Sequence, residues 1–142
     1  MRGILPLLVL LGLALSVAAG PAAAAEVRKP RAGTTYTGSP GKVELTVGTS
    51  GLDLVAFSVR CGTTTARAAL NGVALKRTRR GYALAFRGRA GFTYADDEDG
   101  ANGSVTLTGR FSTTAKSARG TVRVRVARCG TRTLRWTARQ VR

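Results

Sequence analysis

The chain has 142 residues, of which 23 are Lys or Arg and 7 are Asp or Glu, so its formal net charge is +16 at pH 7. It contains no histidine, which excludes Cys/His zinc sites and catalysis that relies on an imidazole base. The charge predicts attraction to anions, although an excess of arginine over lysine is also what a GC-rich genome would encode.

The first 25 residues are predicted to be a signal peptide. Arg2 precedes an apolar run from Ile4 to Ala19, and Ala23 and Ala25 fit the small-residue pattern of cleavage after Ala25. The alternative is an uncleaved membrane anchor, but the run is somewhat short for a span of about 20 residues. We therefore expect a secreted or envelope-associated protein with no later transmembrane segment. Residues 26–33 are predicted to be a flexible lead-in, and residues 34–142 a single domain.

Short runs of alternating apolar residues fill the predicted domain, and this alternation is the signature of half-buried β-strands. The clearest runs are Lys42–Val47, Leu54–Cys61, Tyr82–Phe86, Ser104–Phe111, Val122–Val126 and Leu134–Ala138. Turn residues such as Asn71-Gly72 separate the runs, and no amphipathic helix is predicted. The pattern predicts an all-β fold: an antiparallel β-sandwich, Ig-like or jelly-roll-like, of about eight or nine strands. A β-barrel is the alternative.

Cys61 and Cys129 are the only cysteines, and in an exported chain they are expected to form one disulfide. Cys61 shares the parity of the apolar residues of its strand, whereas Cys129 has the parity of Arg123 and Arg125. Either a bulge near Ala127 shifts the alternation, or the strand ends before Cys129. The sequence leaves both explanations open.

Core packing is predicted for the aromatic residues on the apolar parity of their strands, which are Phe57, Tyr82, Phe86 and Trp136. An exposed aromatic side chain for stacking on a sugar or a base would come from the less constrained residues, which are Tyr36, Phe92 and Tyr94.

The acidic segment Asp96–Gly103 is predicted to be a loop, and Asp97, Asp99 and Asn102 are candidate calcium ligands because Ca²⁺ prefers oxygen donors. The EF-hand register fails, since Ala95 stands where the first aspartate should be. The alternative is a solvated turn whose charges offset nearby arginines. We expect no metal site and no other cofactor.

Several short motifs resemble a group of small exported β-rich proteins of actinobacteria. They are Thr-Tyr-Thr-Gly38, Arg60-Cys61, Leu-Thr-Gly-Arg-Phe111, Ala118-Arg-Gly-Thr121, and Cys129 followed by Trp136-Thr-Ala138. The resemblance implies an exported β-sandwich with a Cys–Cys link, and it implies no activity for any residue.

Two basic clusters are the candidate binding residues. The outward face of the final hairpin carries Arg123, Arg125, Arg135 and Arg139, and a turn carries Lys76, Arg77, Arg79 and Arg80. They predict an anion-binding surface for an envelope polymer or an acidic polysaccharide; the alternative is a merely solvated surface. Recognition of specific nucleic acid is not expected, and the protein is expected to be a monomer.

The leading functional hypothesis is therefore a non-enzymatic binding or structural module of the cell envelope. A secreted protease inhibitor is the second hypothesis, with Gly62–Arg67 or Lys76–Gly81 as the exposed loop. The third is an enzyme acting on envelope polymers, for which Glu44 and Asp53 would supply the paired carboxylates.

Overall fold

The structure, a computed structural model, describes residues 26–141, and the predicted signal peptide lies outside these described residues. Nine β-strands occupy most of this part of the chain: β1 Thr35–Ser39, β2 Val43–Val47, β3 Leu52–Cys61, β4 Thr64–Val73, β5 Leu75–Thr78, β6 Gly81–Tyr94, β7 Asp97–Phe111, β8 Ser117–Val126 and β9 Gly130–Gln140.

The strands form one antiparallel sheet that closes on itself. Their order is β4-β3-β2-β1-β9-β8-β7-β6-β5, and β4 also pairs with β6, so that eight strands form a closed barrel with β5 as an additional strand outside the ring. The prediction of an antiparallel all-β fold with one disulfide is confirmed, and the barrel is the architecture that forms. The alternation of apolar residues alone could not distinguish a sandwich from a barrel, because the strands of both folds bury one face and expose the other.

The core is the interior of the barrel. On β8, Val122, Val124 and Val126 are buried, while Arg123 and Arg125 between them are exposed. The same alternation in the other strands fills the interior with apolar side chains, the largest of which are Tyr36, Phe57, Phe92, Phe111 and Trp136. The outer surface is therefore left to the polar and charged residues between them.

The hypothesis of an exposed stacking aromatic was wrong for all three residues that it named. Tyr36, Phe92 and Tyr94 are 1%, 1% and 6% exposed, respectively. Tyr36 and Phe92 pack edge-to-face on Phe111 and Phe57, and the Tyr36 and Tyr94 hydroxyls donate hydrogen bonds to carbonyls of neighbouring turns. Phe92 and Tyr94 share the inward parity of Leu84 because β6 continues from Gly81 to Tyr94, and Tyr36 lies opposite the buried Leu45 of β2.

Two predicted loops are also strands. Asn71-Gly72 lies within β4 instead of forming a turn, and the turn that precedes β4 is at Gly62, whose positive φ of 65° suits glycine. The acidic segment from Asp97 onward is the beginning of β7. In both cases pairing with a neighbouring strand outweighs the local preference of the residues.

The two ends of the barrel are held differently. At one end, which we call the disulfide end, Cys61 at the end of β3 is bonded to Cys129 in the β8–β9 turn. Strand β8 ends at Val126, so the second explanation for the parity of Cys129 is the right one.

At the opposite end, which we call the terminal end, the lead-in lies against the barrel: the Arg28 amide donates to the Thr113 carbonyl. The flexibility of the lead-in stays a prediction.

Trp136 is an internal probe of this fold, since it is the only tryptophan and is 2% exposed. Its ring lies against Gly109 and Gly120, where a Cβ atom would approach it to 2.6 Å and 2.8 Å, respectively. We therefore expect blue-shifted fluorescence that acrylamide and iodide quench poorly. A red-shifted and freely quenched spectrum would show that the strand β9 register is wrong.

Candidate anion-binding face

The outer surface of β6, β7, β8 and β9 is lined mainly by arginine, serine and threonine. These strands are consecutive neighbours in the barrel, so their outward positions form one continuous surface. Eight exposed arginines lie on it, and we call them the basic face: Arg87, Arg89, Arg110, Arg119, Arg123, Arg125, Arg135 and Arg139.

Hydroxyl residues separate many of these arginines across the strands. Two residues of β7 each lie between one arginine of β6 and one of β8; the triplets are Arg87–Thr106–Arg123 and Arg89–Ser104–Arg125. Neighbouring strands are about 4.8 Å apart and alternate residues of one strand about 6.7 Å apart. The basic face is thus a lattice in which guanidinium groups and short hydroxyl groups, all hydrogen-bond donors, are presented together.

The strand segments that carry the basic face contain no carboxylate. Residues 81–92, 101–111, 117–126 and 130–140 include neither Asp nor Glu. Within residues 26–141, the ion pairs are those of Arg128 with Asp96 and Asp97, at the disulfide end. The charge of the basic face is therefore balanced by solvent ions or by a ligand, not by this part of the protein.

One pair of arginines is directly opposed. Arg110 of β7 faces Arg119 of β8, and both are exposed. Like charges in opposed positions destabilise an antiparallel pair by roughly 0.2–1 kcal/mol, a cost that a bound anion would remove. Repulsion between Arg110 and Arg119 therefore destabilises the folded protein, and an anion bound between the two guanidinium groups would remove this repulsion.

Shallow grooves cross the basic face. One, of about 530 Å³ at the terminal end, is lined by Arg80, Arg110, Arg119 and Arg139 together with Ser112 and Ser117, and we call it the arginine groove. A second groove of about 550 Å³ also includes Arg110 and Arg119 and extends to Arg135. A third, of about 470 Å³, lies towards the disulfide end between Arg89 and Arg125. A ligand can therefore contact several arginines in one depression.

The structure brings together only part of the two predicted clusters. Arg123, Arg125, Arg135 and Arg139 are all exposed on the outer side of β8 and β9, as the alternation predicts. Of the turn cluster, Arg80 joins Arg139 in the arginine groove. Lys76 and Arg77 lie on β5, outside the ring of eight strands, and Arg79 lies in the turn beside Arg80.

Sequence reasoning missed four arginines of this surface: Arg87, Arg89, Arg110 and Arg119. Arg119 has the same parity as Arg123, and Arg87 has the parity opposite to the apolar residues of its strand, so alternation could have found both. The opposition of Arg110 and Arg119 depends on the register of β7 against β8, which the sequence does not reveal.

A second charged cluster ties the turns of the disulfide end together. Arg128 donates to both carboxylate oxygens of Asp96, at 3.0 Å and 2.8 Å, and its guanidinium lies 4.6 Å from the centre of the Tyr94 ring. Thr64 also donates to Asp96, at 2.8 Å. The bidentate pair links the β6–β7 turn to the β8–β9 turn, so Arg128 has a structural role.

These contacts make the disulfide end sensitive to acid. The hydrogen bond from Arg128, and secondarily that from Thr64, lowers the pKa of Asp96 from 3.8 to about 2. Because the pKa is lower in the folded protein, the stabilisation is present above the unfolded value and is lost as the pH falls towards 2. Asp96→Asn should therefore lower the melting temperature at pH 7 but not at pH 2. Asp99→Asn, which removes the same charge from the same hairpin, should have little effect at either pH; equal effects of the two variants would contradict this role.

The candidate calcium ligands lie on two sides of an irregularity in the β6–β7 ladder. Asp97 pairs with Tyr94 at the disulfide end, Asp99 lies within the register shift, and Asn102 pairs with Gly91 and lines the groove between Arg89 and Arg125. Among the described side chains of residues 26–141, no three His, Cys, Asp or Glu are grouped as a metal site. Calcium binding by Asp97, Asp99 and Asn102 stays an alternative hypothesis.

The other candidate sites are short or dispersed. Gly62–Arg67 consists of the Gly62-Thr63 turn and the beginning of β4. Lys76–Gly81 consists of the end of β5, the two-residue turn Arg79-Arg80 and the first residue of β6. Neither is a long exposed loop. The two candidate carboxylates are not paired with each other. Glu44 of β2 pairs with Ala56, which lies three residues after Asp53 on β3.

No helix within residues 26–141 is long and apolar enough to cross a membrane. Comparison with known proteins found no matching protein family, no similar curated protein and no similar solved structure.

Proposed function

We propose that this protein is an exported, non-enzymatic module of the cell envelope whose basic face binds a linear polyanion. The observation that supports this proposal is the combination of eight exposed arginines with the absence of Asp and Glu from the segments of β6–β9 that carry them, which are residues 81–92, 101–111, 117–126 and 130–140.

A polyanion suits this surface better than a small apolar ligand. The aromatic side chains that could stack on a ligand are in the core or half-buried, and the grooves are lined by guanidinium and hydroxyl groups. Binding through such groups releases condensed counterions from the polymer, so affinity should be strongly salt-dependent and hardly dependent on the sequence of the polymer.

The disulfide is compatible with an oxidising compartment such as the extracellular space. The predicted signal peptide supports the same destination, and anionic polymers of the cell wall are the polyanions that an exported protein would meet first. The barrel supplies rigidity: the arginines lie on paired strands, which present charges at fixed spacing with little loss of backbone entropy on binding.

Co-sedimentation with isolated cell walls tests the proposal. Purified protein should pellet with walls that retain their anionic polymers and remain in solution with walls stripped of them. Release from intact walls should require salt or a soluble competing polyanion such as heparin. Equal pelleting with both wall preparations would contradict binding to the anionic polymer.

A further inference from the structure

The arginine groove differs from the rest of the basic face because four elements of the barrel converge there. Arg80 comes from the β5–β6 turn, Arg110 from β7, Arg119 from β8 and Arg139 from β9. The second groove takes its arginines from three strands, and the third from two. Arginines on separate elements can contact a ligand from several sides, whereas arginines along one strand contact it from one side.

The register fixes the positions of three of these arginines. Arg110 is directly opposite Arg119, and Arg139 is opposite Ser117, which lies two residues before Arg119 on the same strand. Arg119 and Arg139 are therefore diagonal neighbours, with Cα atoms about 7–8 Å apart. At such spacings flexible arginine side chains can direct their guanidinium groups at one compact anion or at anionic groups joined by a short link.

Two serines complete the lining of the groove. Ser112 and Ser117 are half-buried, and the Ser112 amide donates to the Ser117 carbonyl at 2.8 Å. The Ser112 hydroxyl oxygen accepts from the Ser117 amide at 3.3 Å and also lies 3.3 Å from the Thr114 hydroxyl, where either group can donate. Phe111 and Ala118, which also line the groove, are buried core residues. The groove thus offers guanidinium and hydroxyl donors beside an apolar base.

We propose that the arginine groove is a specific site for a group of two or more linked phosphates, carried as the end group of an envelope polymer or as a free polyphosphate. This inference deepens the proposed function and rests on it. A groove of about 530 Å³ is large enough to hold a compact ligand. Four guanidinium groups carry about twenty N–H donors, far more than the oxygens of one phosphate can accept.

Phosphate is favoured over carboxylate by the charge that each group supplies. Linked phosphates place several negative charges and many acceptor oxygens within a small volume, whereas each carboxylate supplies one charge and two oxygens. The groove contains no lysine and no carboxylate among its lining residues, so the site consists of forked donors suited to phosphate oxygens.

Calorimetry with tripolyphosphate tests the inference, with citrate as a carboxylate probe. We expect one tripolyphosphate to bind per chain and citrate to bind at least about tenfold more weakly. The groove variant R80Q/R119Q/R139Q should weaken tripolyphosphate binding by at least about tenfold. The matched variant R87Q/R123Q/R125Q removes the same charge from the same face, at residues that line neither of the two grooves containing Arg110 and Arg119, and should change tripolyphosphate binding by less than about threefold. Melting temperatures measured without ligand would show that both variants are folded.

Equal weakening by the two variants, or equal affinity for citrate, would overturn the phosphate site. Heparin binding by the wild-type protein would then still stand as support for the polyanion module. If neither tripolyphosphate nor heparin binds at low salt, both the inference and the proposed function are wrong.

Discussion

Cys61→Ser should lower the melting temperature on the order of 15 °C or more, because the bond to Cys129 encloses a long loop. The two cysteines are 68 residues apart in the chain. On the chain-entropy model a loop of this length stabilises the folded state by roughly 4 kcal/mol. For a domain of this size each kcal/mol corresponds to roughly 4 °C or more in melting temperature. Thermal unfolding followed by circular dichroism measures the effect.

Three further samples test whether the lower melting temperature comes from the missing disulfide. Cys129→Ser and the double variant should melt at the same temperature as Cys61→Ser, because all three lack the same bond. Reduced wild-type protein should agree with them. Two alkylatable thiols in the non-reduced wild-type protein, or a variant that melts within a few degrees of it, would contradict a stabilising disulfide.

R123Q/R125Q/R135Q should reduce affinity for heparin by about 100-fold at about 0.1 M salt, because each lost contact removes nearly one released counterion from the binding equilibrium. The control is K42Q/R60Q/R67Q, which removes three exposed positive charges from β3, β4 and the β1–β2 turn, away from the basic face. Both variants have the same net charge. The control should therefore lose far less affinity if position on the face matters.

The lead-in would be a weaker control for this comparison. Arg28, Lys29 and Arg31 are exposed, but the Arg28 amide is bonded to Thr113 in the β7–β8 turn, next to the arginine groove. Cations that lie so close to the basic face could contribute to binding. Lys42, Arg60 and Arg67 reduce this ambiguity. Arg60 lies on β3, which pairs with no strand of the basic face, and Lys42 lies in the β1–β2 turn. Arg67 lies on β4 opposite Thr93 of β6, four residues beyond Arg89.

Alternation in the sequence was sufficient to predict the all-β class and the outward direction of Arg123 and Arg125. It also placed Trp136 in the core. Each of these conclusions depends only on the two-residue period of a strand, which is a local property. The disulfide could be predicted as well, since two cysteines in an exported chain leave one pairing.

Closure of the barrel could not be predicted, because it depends on which strands pair. The β4–β6 pairing joins Ala66 to Tyr94 and Ala68 to Phe92, residues far apart in the chain. The interpretation of Gly62–Arg67 as a loop concealed this ladder, and the interpretation of Asn71-Gly72 as a turn missed the far end of β4. Turn propensity is a local preference, and the burial of Leu70 and Val73 in the barrel overrides it here.

The arginine groove was hidden for the same reason. Arg80 and Arg139 were each predicted to be exposed, but in two unrelated clusters. Their convergence with Arg110 and Arg119 arises from the registers of β7, β8 and β9, and a slip of one residue in any of them would disperse it. The position of the candidate site thus depends on pairing between strands that are distant in the chain, whereas its richness in arginine can be seen in the amino-acid composition.

The most direct test of the basic face is the salt dependence of heparin binding. We predict that the slope of log K against log salt concentration falls in magnitude by about 2–3 in R123Q/R125Q/R135Q, close to one for each lost contact. In K42Q/R60Q/R67Q the slope should stay close to that of the wild-type protein. Equal slopes in the two variants would show that heparin responds to net charge alone, and would contradict a binding face on β6–β9.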